Sequence, residues 1–183
     1  MNRQPVLEGE RLRLRPLEAD DWQALFGVAS DPMIWEVHPA HNRWQEPIFR
    51  TFFEDALEQG GALAVIDKSS GTMTGSSRYQ FHDPANGGVV EIGWTFLARS
   101  YWGGSYNREM KRLMLAHAFR FVERVVFMVG KGNLRSRRAM EKIGGSLTDY
   151  REERIMANGT THYVCYEITR EDFAMGPLMR QRK

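Results

Sequence analysis

At 183 residues the chain suits one domain with a sizeable core better than two small ones. Apolar residues make up 42% and charged residues 26%, which excludes disordered and collagen-like classes. A net charge of +2 does not by itself call for a polyanionic partner, and no window approaches the roughly 18 apolar residues of a membrane helix. The stretch from Met1 to Glu10 is polar and lacks the apolar core of a secretory signal. Cys165 is the single cysteine, so no internal disulfide can form. Both features make a cytoplasmic location the expectation.

Glu10 to Pro16 alternates polar and apolar residues and predicts a first strand that Pro16 stops. Asp20 to Ala29 carries Trp22, Leu25, Phe26 and Ala29 at helical spacing behind acidic residues. A loop rich in His, Pro, Asn and Trp follows from Asp31 to Trp44, the kind of exposed segment that often carries function. Pro47 to Gln59 holds Phe49, Phe52, Phe53 and Leu57 on one stripe, a second helix. The period then changes to strands over Ala62–Asp67, Thr72–Phe81 and Val89–Leu97, the last two joined through Asn86-Gly87-Gly88.

Tyr106 to Phe121 is the longest helical pattern, with Tyr106, Met110, Leu113, Met114, His117, Ala118 and Phe121 on one face. Arg124–Val129 reads as a central strand, Ser136–Ile143 as a short helix ending at Gly144-Gly145. Two last strands flank Asn158-Gly159, and Phe173 to Lys183 is expected to be peripheral. The order predicts a single α/β (or α+β) domain in which helices cover a mixed sheet.

The chemistry concentrates in Glu91–Asn107, EIGWTFLARSYWGGSYN, where a strand enters a glycine loop that opens the longest helix. The first turn of a helix has unpaired N–H groups and partial positive charge. Gly103 and Gly104 would let a ligand approach that backbone, and Ser105 and Asn107 could add cap hydrogen bonds. The combination suits an anion such as phosphate, although Gly-Gly alone is more often a plain turn. It is not a Walker or dinucleotide pattern. A second segment, GKGNLRSRRAMEKIGG from Gly130 to Gly145, places Asn133 and Ser136 after a strand end, where ligands of open sheets tend to sit. Lys131, Arg135, Arg137 and Arg138 add positive charge there. Such a cluster is usually a solvated helix face, and a nucleic-acid site is not expected, since no recognition motif accompanies it.

Together, IGW…YWGGSYN and GNLRSRRAMEKIGG resemble the two central motifs of the GNAT acetyltransferases, with the RimJ/RimL-type branch nearest. The resemblance implies a mostly antiparallel central sheet flanked by helices. It also implies transfer of an acetyl group from acetyl-CoA to a primary amine, either a protein N-terminal amine or a small molecule. On that reading Trp102, Gly103, Gly104, Ser105, Tyr106 and Asn107 form the pyrophosphate loop. Thr95, Phe96 and Leu97 offer main-chain groups to the pantetheine arm. Asn133 lies near the thioester or cofactor arm, and Arg138 is a candidate for the remaining phosphate. The pattern departs at Ser100, Ser105 and Gly145, and above all at Met140. Many GNAT enzymes carry there a tyrosine that protonates the leaving thiolate, and methionine cannot. That absence keeps open a second reading, a CoA-binding sensor without catalysis.

Direct attack by the amine needs no enzyme nucleophile, so Cys165, in the alternating run THYVCYEIT, reads as a buried structural thiol. Glu91 is the candidate base, through water, with an outward-facing strand residue as the equally weighted alternative. Ser136 is a candidate thiolate partner, though a cap role is the simpler one; Tyr101, Tyr106 and Tyr150 are unranked alternatives. Substrate contacts are expected from the loop through Trp35, His38 and Trp44. His38 and His41 have no carboxylate or cysteine companions, so no metal is expected. His117, among apolar neighbours, reads as a hydrogen-bonded core histidine. An exposed edge at the final hairpin makes a homodimer conceivable.

Overall fold

The computed structural model describes residues 1–85, 87–156 and 159–180. Asn86 and Asn158, expected at two hairpin turns, lie outside the described residues. Eight strands form one sheet: β1 (Leu7–Glu8), β2 (Leu12–Pro16), β3 (Ala62–Asp67), β4 (Met73–Asp83), β5 (Val89–Leu97), β6 (Arg124–Gly130), β7 (Ser146–Met156) and β8 (Gly159–Thr169). Their spatial order is β1-β2-β3-β4-β5-β6-β8-β7. Every pairing is antiparallel except β5 with β6.

Helices cover both faces, as the period-2 alternation of β3 requires. Ala62 and Ala64 pack with α1 (Trp22–Ala29), α2 (Pro32–Trp35) and α3 (Glu46–Gln59) in a cluster holding Leu25, Trp35, Phe49 and Phe53. Leu63 and Val65 point the other way. They meet Met110, Met114, Leu115 and Ala118 of α4 (Tyr106–Ala118) and Met140 of α5 (Leu134–Lys142). The buried Glu109 carboxylate accepts from Arg11 N–H (2.8 Å) and Leu12 N–H (3.1 Å), fixing α4 against β2. Gly9 must be glycine for this staple, since a Cβ there would come within 2.1 Å of Glu109 Oε1.

Several sequence expectations shift. The long helix ends at Ala118, and Phe121 is 45% exposed instead of sharing its buried face. The segment from Asp31 is not wholly loop: the Asp31 side chain caps Met33 N–H and Pro32 starts α2, which buries Ile34 and Trp35. Four residues are too few for a period to show. The helix expected from Ser136, α5, begins two residues early, because Asn133, not Ser136, is its cap. The tail is not peripheral over its described part. After α6 (Arg170–Met175), Leu178 is only 4% exposed within the core, and Arg108 donates to the Pro177 carbonyl. Two apolar residues after a proline, Leu178 and Met179, are too short a run to carry a periodic signal.

Candidate functional site

The site arises from an interrupted ladder. β5 and β6 pair only from Val89 with Arg124 to Glu91 with Val126. Beyond that rung the strands diverge, leaving the β5 edge from Ile92 to Leu97 and the facing edge of β6 without each other. A bulge contributes to the divergence. Gly93 opposes Arg78 while Phe96 opposes Ser76, so β5 holds one residue more than β4, and Trp94 takes φ 52°. Such bulges bend a strand and re-aim its side chains. The fork opens into a cleft of about 1650 Å³ that runs to the N-terminus of α4.

At the mouth, Gly103 sits at φ 72°, a conformation that side-chain-bearing residues rarely adopt, with open space around it. Trp102 folds the loop back, its indole N–H donating to the Leu97 carbonyl (2.9 Å) and its ring stacked under Arg135 (4.1 Å). Ser105 does not cap α4. Its hydroxyl takes a bond from Arg11 instead, so the first-turn N–H groups have no side-chain cap. Around them stand Arg108 and Arg112 of α4, Arg138 and Lys142 of α5, and Arg180. The i,i+4 spacing places each helical pair on one face. Of these five, sequence reasoning named only Arg138; the spacing was the available signal for the other helical three.

Asn133 accepts from Ser136 N–H (3.0 Å) and holds the start of α5 at the cleft wall. Thr95, Phe96, Leu97, Trp102, Gly103, Gly104, Ser105, Asn107, Asn133, Ser136 and Arg138 all line the one cleft. Tyr106 does not; its ring packs edge-on against Tyr101 at 4.7 Å. On the far side Trp35 and His38 line the cleft, while Trp44 does not. Trp35 is a core residue, 1% exposed, with its indole N–H spent on the Ala29 carbonyl (2.7 Å). Burial and the nearby Arg43 push His38 down to about 3, and its Nδ1 accepts from Ala40 N–H. It is therefore a neutral imidazole, suited to orientation and not to proton removal. Arg78, unremarked in the sequence, is buried beside this region, paired with Asp55 (2.7 Å) and stacked on Trp94.

Glu91 occupies the apex, on the last paired rung, and is 5% exposed. It does not line the cleft surface, but its Oε1 lies 3.2 Å from where a Cβ on Gly93, a lining residue, would stand. Burial pushes its carboxyl up to about 7 against the opposing pull of Arg154. Inside the fork, Lys111 of α4 is 1% exposed and lines the cleft. Its Nζ donates to Thr95 Oγ1 (2.7 Å) and Ser77 Oγ (3.3 Å), and burial brings it down to about 7. Its signal in the sequence is a lysine flanked by Met114, Leu115 and Ala118 at i+3, i+4 and i+7, which places the cation on the apolar face of α4.

Met140, where many relatives of the pattern carry tyrosine, is buried and apolar; of the candidate donors, Tyr150 is 57% exposed and away from the cleft, and Tyr101 donates to Asp67 (3.0 Å). Tyr163, unnamed by sequence reasoning, also lines the cleft, with burial raising its hydroxyl. Cys165 is buried on β8, and His117 Nε2 lies 2.8 Å from the Asn2 carbonyl within the core. No helix among the described residues is long and apolar enough to cross a membrane.

A sequence model of the acetyltransferase (GNAT) domain matches residues 11–146. The chain is 29% identical over 150 residues to the uncharacterized protein YkkB of Bacillus subtilis, covering 79% of this chain and 87% of that one. Among solved structures, a GCN5-related N-acetyltransferase from Brucella melitensis superposes with a TM-score of 0.77 at 23% identity, over 93% and 80% of the two chains. The microcin C7 self-immunity acetyltransferase MccE, solved with acetyl-CoA and AMP, superposes with a TM-score of 0.69 at 13% identity, over 88% and 93%. With the divergent fork and the glycine loop at a helix start, these matches identify the chain as a member of the GNAT acetyltransferase family.

Proposed function

We propose that this acyltransferase moves the acetyl group of acetyl-CoA onto a primary amine by direct attack, the acceptor being an N-terminal amine or a small amine as in the RimJ/RimL-type branch. The observation that carries the reading is the fork: an unpaired strand edge over Ile92–Leu97 leads to an uncapped helix start ringed by cations.

The residues present fit that donor. Gly103, Gly104 and the first turn of α4 would hold the pyrophosphate by backbone N–H groups and the helix dipole. Arg108, Arg112, Arg138 and Lys142 would surround the phosphates with charge. The free β5 edge would hold the amide-bearing arm as a neighbouring strand does. When bound, acetyl-CoA supplies the activated acyl carbon. Glu91, near 7, can take the proton that the amine loses, through water, because it sits behind the cleft surface. His38 and Trp35 shape the acceptor side. A relayed base suits an α-amine, neutral roughly one time in seven at pH 7, better than a lysine amine, neutral about once in 2,500.

The test is calorimetric titration of acetyl-CoA and free CoA, with Gly103→Pro beside the wild type. Micromolar binding that the folded variant loses supports the reading. No binding by the wild type at millimolar donor overturns it.

A further inference from the structure

We propose that Lys111 is the proton donor to the sulfur that departs when the acetyl group is transferred, doing the work for which Met140 has no hydroxyl. The inference rests on the acetyl-CoA reading above.

Four observations carry it. Lys111 is buried yet lines the cleft, its Nζ held by Ser77 of β4 and Thr95 of β5 with the Phe127 ring of β6 5.6 Å away, at the β5 side of the fork. An ammonium has three N–H donors. Two go to Thr95 and Ser77, and the third has no partner among the described residues. Its neighbours from β4, β5 and β6 are two hydroxyls and a ring, so desolvation alone moves it and no carboxylate neutralises it. A buried cation without a counter-charge is costly unless an anion arrives. Of the tyrosines, Tyr101 is committed to Asp67, Tyr106 and Tyr150 lie outside the cleft and burial raises the Tyr163 hydroxyl, while the Ser136 hydroxyl lines the cleft as the one competing donor.

In the balanced step, the amine nitrogen bonds to the acyl carbon and the carbon–sulfur bond breaks, its electron pair going to sulfur. One Nζ proton passes to that sulfur, leaving a thiol and a neutral Lys111. The amine's own proton goes to Glu91, and solvent restores the lysine. Burial weakens the ammonium's hold on its proton, and a thiolate arriving beside it is the counter-charge the site lacks until the proton moves to sulfur.

The experiment uses free CoA bound to the full chain, comparing wild type with Lys111→Met by thiolate ultraviolet absorbance across pH. In the wild type the bound thiol should ionise at least one pH unit below free CoA, because a cation stabilises thiolate. In Lys111→Met it should return to the free value, with CoA affinity changed less than about threefold and kcat lowered about 100-fold. An unchanged thiolate titration in a variant that binds CoA overturns this proposal alone. Loss of CoA binding by the wild type overturns the parent reading with it. Should the variant misfold, nitrogen-detected NMR of the wild-type lysine decides: its pKa should rise at least one unit on CoA binding, and no change overturns the proposal.

Discussion

The two ends of the cleft are built on opposite principles. At the mouth, several arginines and a lysine stand around an uncapped helix start, able to attract phosphate by number and field. In the fork, Glu91 and Lys111 are almost sealed from water, and burial drives each toward its uncharged form, the acid up and the amine down, to about 7. The difference separates two tasks. Solvated cations attract an anion through their summed field. Desolvated groups near neutrality can gain or lose a proton during turnover.

The largest effect expected comes from breaking the mouth. Gly103→Pro removes a backbone donor and cannot adopt φ 72°, so acetyl-CoA affinity should fall about 1,000-fold or more by calorimetry, a multi-contact loss. Breaking the apex should leave affinity alone. Glu91→Gln should lower kcat about 100-fold with the acetyl-CoA dissociation constant unchanged, as removal of a general base does. Steady-state kinetics beside calorimetry checks the split; a matched loss of affinity would place Glu91 at the cofactor instead.

Stability against pH sharpens the contrast within the fork. Glu91 is raised from 4.5 to about 7 on folding, so the native state binds its proton more tightly. Its contribution is full below 4.5 and is lost as pH rises through 7. Lys111 is lowered from 10.5 to about 7, so its contribution grows as pH climbs from 7 toward 10.5. Together they predict a dip near pH 7, on the order of 3 kcal/mol below the value at pH 4.5 and deeper against pH 10.5. Urea midpoints should show Glu91→Gln removing the acid limb and Lys111→Met the alkaline one. The smallest effect is at the exposed cations: Arg138→Ala should weaken acetyl-CoA binding about threefold at low salt and hardly at all at 0.5 M, as screening dictates.

Much of this was legible before any fold was known. The alternation in LRLRP and the apolar stripe of α4 announced their elements, and the glycine loop before that helix marked backbone suited to an anion. Other parts were hidden for local reasons. α2 is too short to show a period, and Gly176-Pro177 cuts Leu178 off from the apolar positions before it. Arg11 reaches Ser105 across 94 residues of sequence, and no local pattern encodes such a meeting.

The sequence by itself determined the element order, the phosphate-suited loop and the absence of a tyrosine at Met140, because period, turn chemistry and residue identity are local properties. Only the tertiary structure decided that β5 and β6 part after Glu91. It also decided that the faces of α4 and α5 converge on one mouth, and that Glu91 and Lys111 lose their water together. Those facts depend on strand pairing and desolvation, which arise only when distant segments pack, and they turn an ordinary glutamate and lysine into groups that titrate near neutrality.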